Sequence, residues 1–449
     1  MDTVLLSFLS GMFGTFCVGR EVVLIVREKR IRISNLFLIM YGVTYGIVLS
    51  LLLIFYDTGI YQANGYFLVF DYTTEGLSAT AWWFFAAVVG YFSFLFGSRL
   101  RFNRDLSNSK PEIEQSKTES RAMYLLQITA ILSLLLGIVC FMIWVSGWGG
   151  YVNLFLNAAA IRNGTYGIRN PVAFFAKPAQ IVATVSIMSM YLIKRKKNVI
   201  LNGILFIVSF AFSLLYYLAK DGRMVMAMYL LIVLFMAFEL FEKQQKIGSK
   251  FARLGVAFVL FVVVVLNMDT LTQSLRYNSS IVVEETSALE TIMDELAYIY
   301  VAGQTSIKHY ISEGSPLLIG HDIGSALFAW VPSALTPDGF VNVWDYNTNL
   351  VGGGMATAQF PTDLISTSIY DLGVFGPILL PAFWGMVVSK LERIGKNNHS
   401  PFVTVLYYSI SMTFIRVVNY SMLSAIVASV FHLFVAGVVY WVISHIKIR

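Results

Sequence analysis

Charge is what this chain has least of. Only 13% of its 449 residues are Asp, Glu, Lys or Arg, where soluble domains carry about 25%. That excludes an ordinary soluble enzyme. Cysteine is nearly missing too: Cys17 and Cys140 both fall in apolar runs, which excludes a disulfide framework and a thiolate metal site. There are only five histidines. No Asp-x-Asp or His/Glu cluster has metal-ligand spacing, so nothing calls for a metal or a cofactor. No Lys or Arg precedes the first apolar run, so no cleavable signal peptide is expected. A nucleic-acid partner is excluded as well. The formal net charge is +6, but its Lys and Arg sit in short hinges beside apolar segments.

What is present is apolar and aromatic. Hydrophobic residues make up 57% of the chain and Phe, Trp and Tyr 15%, as suits a protein with rings at two membrane interfaces. A span needs about 20 mostly apolar residues. The pattern predicts an all-α polytopic membrane protein with about eleven transmembrane helices, at 3–26, 34–56, 78–97, 122–146, 173–193, 199–219, 222–241, 254–270, 371–389, 401–417 and 421–444. Alternate hinges are strongly basic, such as Arg27 to Arg32, Arg99 to Arg121 and Lys194 to Lys197, whereas the hinge from Asp57 to Leu77 has no Lys or Arg. By the positive-inside rule the basic set is cytoplasmic, the N-terminus lies outside and the C-terminus inside.

The chain thus divides into spans within 1–269, a large outer loop over 270–370 and closing spans within 371–449. A loop of that length is expected to carry function. Ser287 and Glu290 form a capping box, followed by Leu289, Met293, Leu296 and Tyr300 at helical spacing. A second helical piece runs from Gln304 to Glu313 and stops at Gly314. Ser325 to Leu335 reads as an aromatic segment in the interface, and Thr336 to Gly339 as a turn.

Cations gather at the expected outer rim, against the positive-inside bias: Arg162, Arg169, Lys177, Lys220, Arg223, Arg276, Lys308 and Arg416. Arg223 and Arg416 fall between closely spaced spans, near the acyl boundary. Such places suit a ligand that is half lipid and half anion, because guanidinium forks onto phosphate oxygens. The plainer reading is headgroup snorkelling, or for Arg223 a pair with Asp221. His309 and His321 are candidate proton acceptors for a sugar hydroxyl, with Asp322, Asp345 and Asp363 as acidic alternatives. His432 reads as an interhelical packing residue. Trp82, Trp83, Trp330, Trp344 and Tyr346 can stack on sugars or anchor the interface.

Three local patterns carry a family resemblance. Asp221-Gly222-Arg223-Met224 opens a span. Phe328-Ala329-Trp330-Val331-Pro332-Ser333 lies in the long loop. Gly354-Met355-Ala356-Thr357 leads through Pro361-Thr362-Asp363 to Asp371-Leu372-Gly373-Val374-Phe375-Gly376-Pro377. With the layout of spans, the chain resembles the Wzy-type polymerases of O-antigen, enterobacterial common antigen and capsule. The resemblance implies a type-C-like glycosyltransferase fold in the bacterial inner membrane, acting on the periplasmic side in lipopolysaccharide or related polysaccharide biosynthesis. It implies transfer of a growing glycan from undecaprenyl pyrophosphate to a lipid-linked repeat unit. A Wzz-type chain-length regulator and a flippase are implied partners, besides membrane lipids. Arg223 and Arg416 would hold the pyrophosphate. Arg162, Arg169 and Arg276 would hold phosphate or sugar, with Lys177, Lys220 and Asp363 in the same binding set and His309 or His321 as base. An O-antigen ligase shares this layout. A lipid-linked oligosaccharide flippase or other transporter is the rival from another class, and would show broken helices near the midplane.

Overall fold

A computed structural model describes residues 2–28, 32–57, 69–100, 112–162, 166–167, 170–220, 223–240, 288–313, 317–331, 342–352, 360–397 and 400–445, all of whose regular elements are helical. Eight helices among these are long and apolar enough to cross a membrane: Thr3–Glu28, Ile33–Phe55, Thr74–Arg99, Glu119–Ser146, Ala173–Lys194, Val199–Ala219, Leu364–Gly395 and Leu423–His445. The expected seventh span is a helix, Arg223–Leu240, whose apolar stretch is shorter. The tenth is a helix of 16 residues, Pro401–Arg416. The eighth, at 254–270, lies outside the described residues, as does the turn at Thr336 to Gly339.

The chain folds into two compact units, each assembled from separated segments. The first takes Met1–Phe102, Glu285–Arg393 and Thr413–Ala428; the second takes Asn103–Glu284, Ile394–Met412 and Ser429–Arg449. The described part of the expected large loop belongs to the first unit.

In the first unit, α1 (Thr3–Glu28) crosses α2 (Ile33–Gly42) where glycines let the backbones touch. A Cβ on Gly14 would meet the Gly42 carbonyl oxygen at 2.7 Å. A π-helical segment, Val43–Val48, joins α2 to α3 (Leu49–Asp57). Such wide turns inside helices recur at functional positions. α4 (Thr74–Arg99) starts at Thr73, whose hydroxyl accepts the Gly76 amide at 3.3 Å. Its other end meets the basic end of the unit, where Arg393 donates to the Leu100 carbonyl at 3.3 Å and Glu392 accepts the Ser34 amide at 2.8 Å.

The second unit holds α5 (Glu112–Ser146), α6 (Tyr151–Leu156), α7 (Ala158–Arg162), α8 (Ala176–Ala179), α9 (Ile181–Lys194), α10 (Val199–Ala219) and α11 (Arg223–Leu240). Its helices are pinned by single polar bonds in apolar surroundings. Tyr229 donates to Ser186 at 2.8 Å, and Tyr216 to the Ala176 carbonyl at 2.9 Å.

Back in the first unit, α12 (Ala288–Glu313) is one continuous helix of 26 residues where the sequence suggests two short ones. It does not lie over the bundle. Leu296 to Ala302 are buried, and Gly303 sits against the Trp83 ring of α4. Its side chains step down the neighbouring helices. Lys308 pairs with Asp71, just before α4 begins. Gln304 donates to the Gly76 carbonyl at 3.1 Å and to Thr80 at 2.9 Å. Tyr300 reaches the Thr44 carbonyl at 2.9 Å, in the middle of the Ile33–Phe55 span. Hydropathy understates this helix because Glu, Asp, Lys, Gln, Thr and Ser are interspersed with its buried Leu, Ile, Val, Tyr and Ala.

The remaining elements are α13 (Ile319–Leu327), α14 (Val343–Gly352), α15 (Leu364–Leu372), α16 (Gly376–Asn397), α17 (Pro401–Arg416), α18 (Leu423–Ser429) and α19 (Phe431–His445).

A candidate site where two interrupted helices meet

The 32-residue stretch Leu364–Gly395 is not one straight span. α15 ends at Gly373, whose φ of 58° opens the left-handed region that glycine tolerates. The chain then doubles back. Gly376, at the start of α16, packs on the backbone of Ser368 in α15. Gly90 of α4 has Ile365 on one side and Pro381 on another, so these two residues share a level. α15 is thus the inserted arm of a helical hairpin, and its first residues lie beside the π-helical segment in the middle of the Ile33–Phe55 span.

Asp363 caps that inserted end. It accepts the Ile365 amide at 2.8 Å, the Ser366 amide at 3.1 Å and the Ser366 hydroxyl. Tyr45, within the π-helical wide turn, donates to it at 2.8 Å. A second interruption meets the first. α17 stops at Arg416 and α18 begins at Leu423, with non-helical backbone between them. That backbone pairs with the approach to α15: the Leu364 amide donates to the Val418 carbonyl at 3.1 Å and the Ser421 amide to the Thr362 carbonyl at 3.1 Å. Val418 also accepts from Tyr45 at 3.0 Å, Thr44 donates to Asn419 at 2.9 Å, and Tyr298 donates to the Asn419 carbonyl at 3.1 Å. Irregular backbone is tolerated between spans only where protein surrounds it or it lines a cavity.

Above this crossing, away from the basic end, stands an aromatic and polar cluster. Tyr298 and Trp344 both lie against the Tyr420 ring, with centroids 5.3 and 5.8 Å away. Arg416 lays its guanidinium over the same ring, 5.6 Å from the centroid. His309 Nε2 is 2.5 Å from the Tyr346 hydroxyl, and its ring faces Tyr370 at 6.3 Å. Tyr370 donates to Asn347 at 2.7 Å, and Asn347 donates to the Phe360 carbonyl at 2.9 Å. Leu318, Val343 and Tyr370 form the apolar base of this cluster.

Two acids border it. The Leu318 amide donates to the Tyr370 carbonyl at 3.0 Å, which ties α13 to α15 and carries Asp322 towards Asp371. Asp322 accepts the Leu423 amide at 3.2 Å. Burial pushes Asp322 up to about 6, while the amides of Leu423 and Val343 act the other way. Asp71 shifts downwards; burial opposes the shift, and the hydrogen bonds from Lys308 and Thr73 outweigh it.

The residues singled out from the sequence fall into distinct places. His309 and Arg416 both border the cluster. Arg416 ends α17, two residues before Val418, whose carbonyl accepts from Tyr45. Asp363 is fully buried, and its oxygens cap α15 and accept from Tyr45. His321 is exposed on α13. Lys177 and Lys220 belong to the second unit, where each lies over a ring, Phe174 at 5.7 Å and Tyr216 at 5.6 Å, within electrostatic reach of one another. Arg162 and Arg223 lie on α7 and α11 of that unit, and their side chains are outside what the structure describes. Arg169 and Arg276 are outside it altogether. Lys308 is explained by its pair with Asp71, Asp345 by its bonds to Asn342, and Trp83 by core packing.

Sequence reasoning missed Asn347, Tyr370, Asp371 and Asn419. Asp371 was legible only as the start of a span, and the others had no charge to draw attention. No family model, curated protein or solved structure matches this chain.

Proposed function

We propose that this protein is a membrane glycosyltransferase that polymerises undecaprenyl-pyrophosphate-linked oligosaccharide repeat units. In this reading a hydroxyl of the lipid-linked acceptor attacks the anomeric carbon of the donor glycan, and the lipid pyrophosphate leaves with the bonding electrons. The observation that carries it is the company Arg416 keeps. A guanidinium lies over Tyr420, whose ring Trp344 and Tyr298 also meet, in the same unit as the His309–Tyr346 pair, inside a membrane-like helical bundle. Aromatic rings suit sugar faces, the arginine suits a pyrophosphate leaving group, and His309 suits the proton of the attacking hydroxyl. On the sequence pattern alone, Arg162, Arg169, Arg223, Arg276, Lys177, Lys220 and Asp363 are further candidates for substrate contact, and His321 is the alternative base.

One observation favours a second reading. An inserted helical hairpin meeting an interrupted helix is the arrangement by which secondary transporters build their binding sites. A lipid-linked oligosaccharide transporter is therefore the rival.

The deciding experiment uses purified protein in nanodiscs with the lipid-pyrophosphate-linked repeat unit, with and without EDTA. A ladder of products that survives EDTA is expected from the wild type. Arg416→Ala should abolish it while the protein remains folded in the membrane. No ladder from the wild type, together with movement of the same substrate across sealed vesicles, would replace polymerisation by transport.

A further inference from the structure

Asp371 is badly placed for a negative charge. It lies in the last turn of α15, where a helix carries partial negative charge. It is only 8% exposed, and its Oδ1 makes no hydrogen bond. Among the described groups the one charge that bears on it is a like charge, Asp322. Asp322 is 2% exposed and also has a bare Oδ1. Its charge is partly met, because the amide it accepts belongs to Leu423, the first residue of α18, so it sits at a helix N-terminus. The pair therefore needs about one further positive charge rather than two.

A third oxygen stands nearby. Ser421, two residues before the amide that Asp322 holds, is 3% exposed and its hydroxyl has no partner. Ser421 lies in the non-helical segment between α17 and α18, where main-chain carbonyls are released from helical bonding. Carboxylate, hydroxyl and carbonyl oxygens make a hard ligand set without nitrogen or sulfur. Among the described residues no group of three or more His, Cys, Asp or Glu side chains gathers as a divalent or transition metal would ask.

We propose that Asp322, Asp371 and Ser421 bind a monovalent alkali cation, sodium, that ties α13 to α15 and to the segment before α18. The site does not depend on the glycosyltransferase reading, and its test needs no turnover. Full-length protein in detergent at pH 7.5 is compared in NaCl and in choline chloride of equal ionic strength. Thermal unfolding and equilibrium dialysis with radioactive sodium are the measurements. The wild type should bind one sodium per chain, with a saturable rise of the midpoint of about 2–5 °C. Asp371→Asn and Ser421→Ala should lose both effects, and His321→Ala, on the exposed face of α13, should keep them. Equal midpoints in the two salts with no sodium bound by the wild type would overturn the proposal. So would binding that persists in folded Asp371→Asn, or displacement of sodium by micromolar calcium. Should Asp371→Asn fail to fold, the wild-type binding and Ser421→Ala decide alone.

Discussion

Replacing Gly303 by alanine puts the insertion of α12 to a direct test. In an exposed helix this change stabilises, since alanine is better than glycine by about 1 kcal/mol. At Gly303 the added Cβ would lie 2.7 Å from Cδ2 and Cε2 of Trp83. The indole has little room to yield. It is fully buried, donates to Ser366 at 3.2 Å, and is flanked by Tyr45 and Tyr300 at 5.2 and 5.7 Å. Forcing one carbon into such a place costs about 1–3 kcal/mol. Against the gain in helix propensity, the net loss should be up to about 2 kcal/mol. Gly203 is the control: it lies on α10 and nothing stands within 4 Å of its would-be Cβ. Gly203→Ala should raise stability by a few tenths to about 1 kcal/mol. The assay is reversible unfolding in mixed micelles, followed by circular dichroism. Trp83→Leu should relieve the Gly303→Ala penalty, giving a favourable coupling in the double-mutant cycle. If Gly303→Ala were as stabilising as Gly203→Ala, α12 would not pack on α4.

Other changes read different parts of the same unit. Asp363→Ala removes a helix cap and an acceptor of Tyr45, and should cost about 2–3 kcal/mol in the same assay; an unchanged protein would mean that α15 does not depend on its cap. Asp322 is pushed up to about 6 from 3.8, so the folded state holds its proton more tightly than the unfolded state. Its contribution is fully present below pH 4 and fades as pH rises through 6, by up to about 3 kcal/mol. In sodium-free buffer Asp322→Asn should flatten that slope, and a slope unaltered by the change would dismiss the assignment. Tyr346→Phe removes the hydroxyl against His309; it should lower product formation about tenfold with little change in stability, and His309→Ala should lower it further. Full activity in both would remove His309 from the chemistry.

How much of this could be read in advance follows from what each element is made of. α1, α4, α5, α9 and α10 announce themselves because leucine, isoleucine, valine and phenylalanine fill them, and hydropathy measures that filling. α12 is legible as a helix from its spacing, but not as part of the bundle, since its polar side chains find partners hundreds of residues away, such as Thr44. The same blindness affected the hairpin. Leu364 to Gly395 is apolar enough for one long span, and only the fold at Gly373 and Gly376 shows that its first part turns inward. Asp363 drew attention by its charge and caps α15, while the uncharged Asn419 joins the crossing and Asn347 the cluster above it.

Arg416 shows how an interrupted helix places a cation. From sequence, an arginine between two close spans belongs at a rim, because an arginine deep in a bilayer is costly. α17 ends at Arg416, and the chain continues through a turn and a non-helical segment. Val418 and Ser421 of that segment pair with Leu364 and Thr362, and Val417 to Asn419 are buried. The guanidinium lies over the Tyr420 ring, which Tyr298 and Trp344 also meet. Non-helical backbone between spans needs surrounding protein to satisfy its polar groups, so this crossing is built rather than incidental. A guanidinium fixed beside it is the place to look for a bound anion, before the loops.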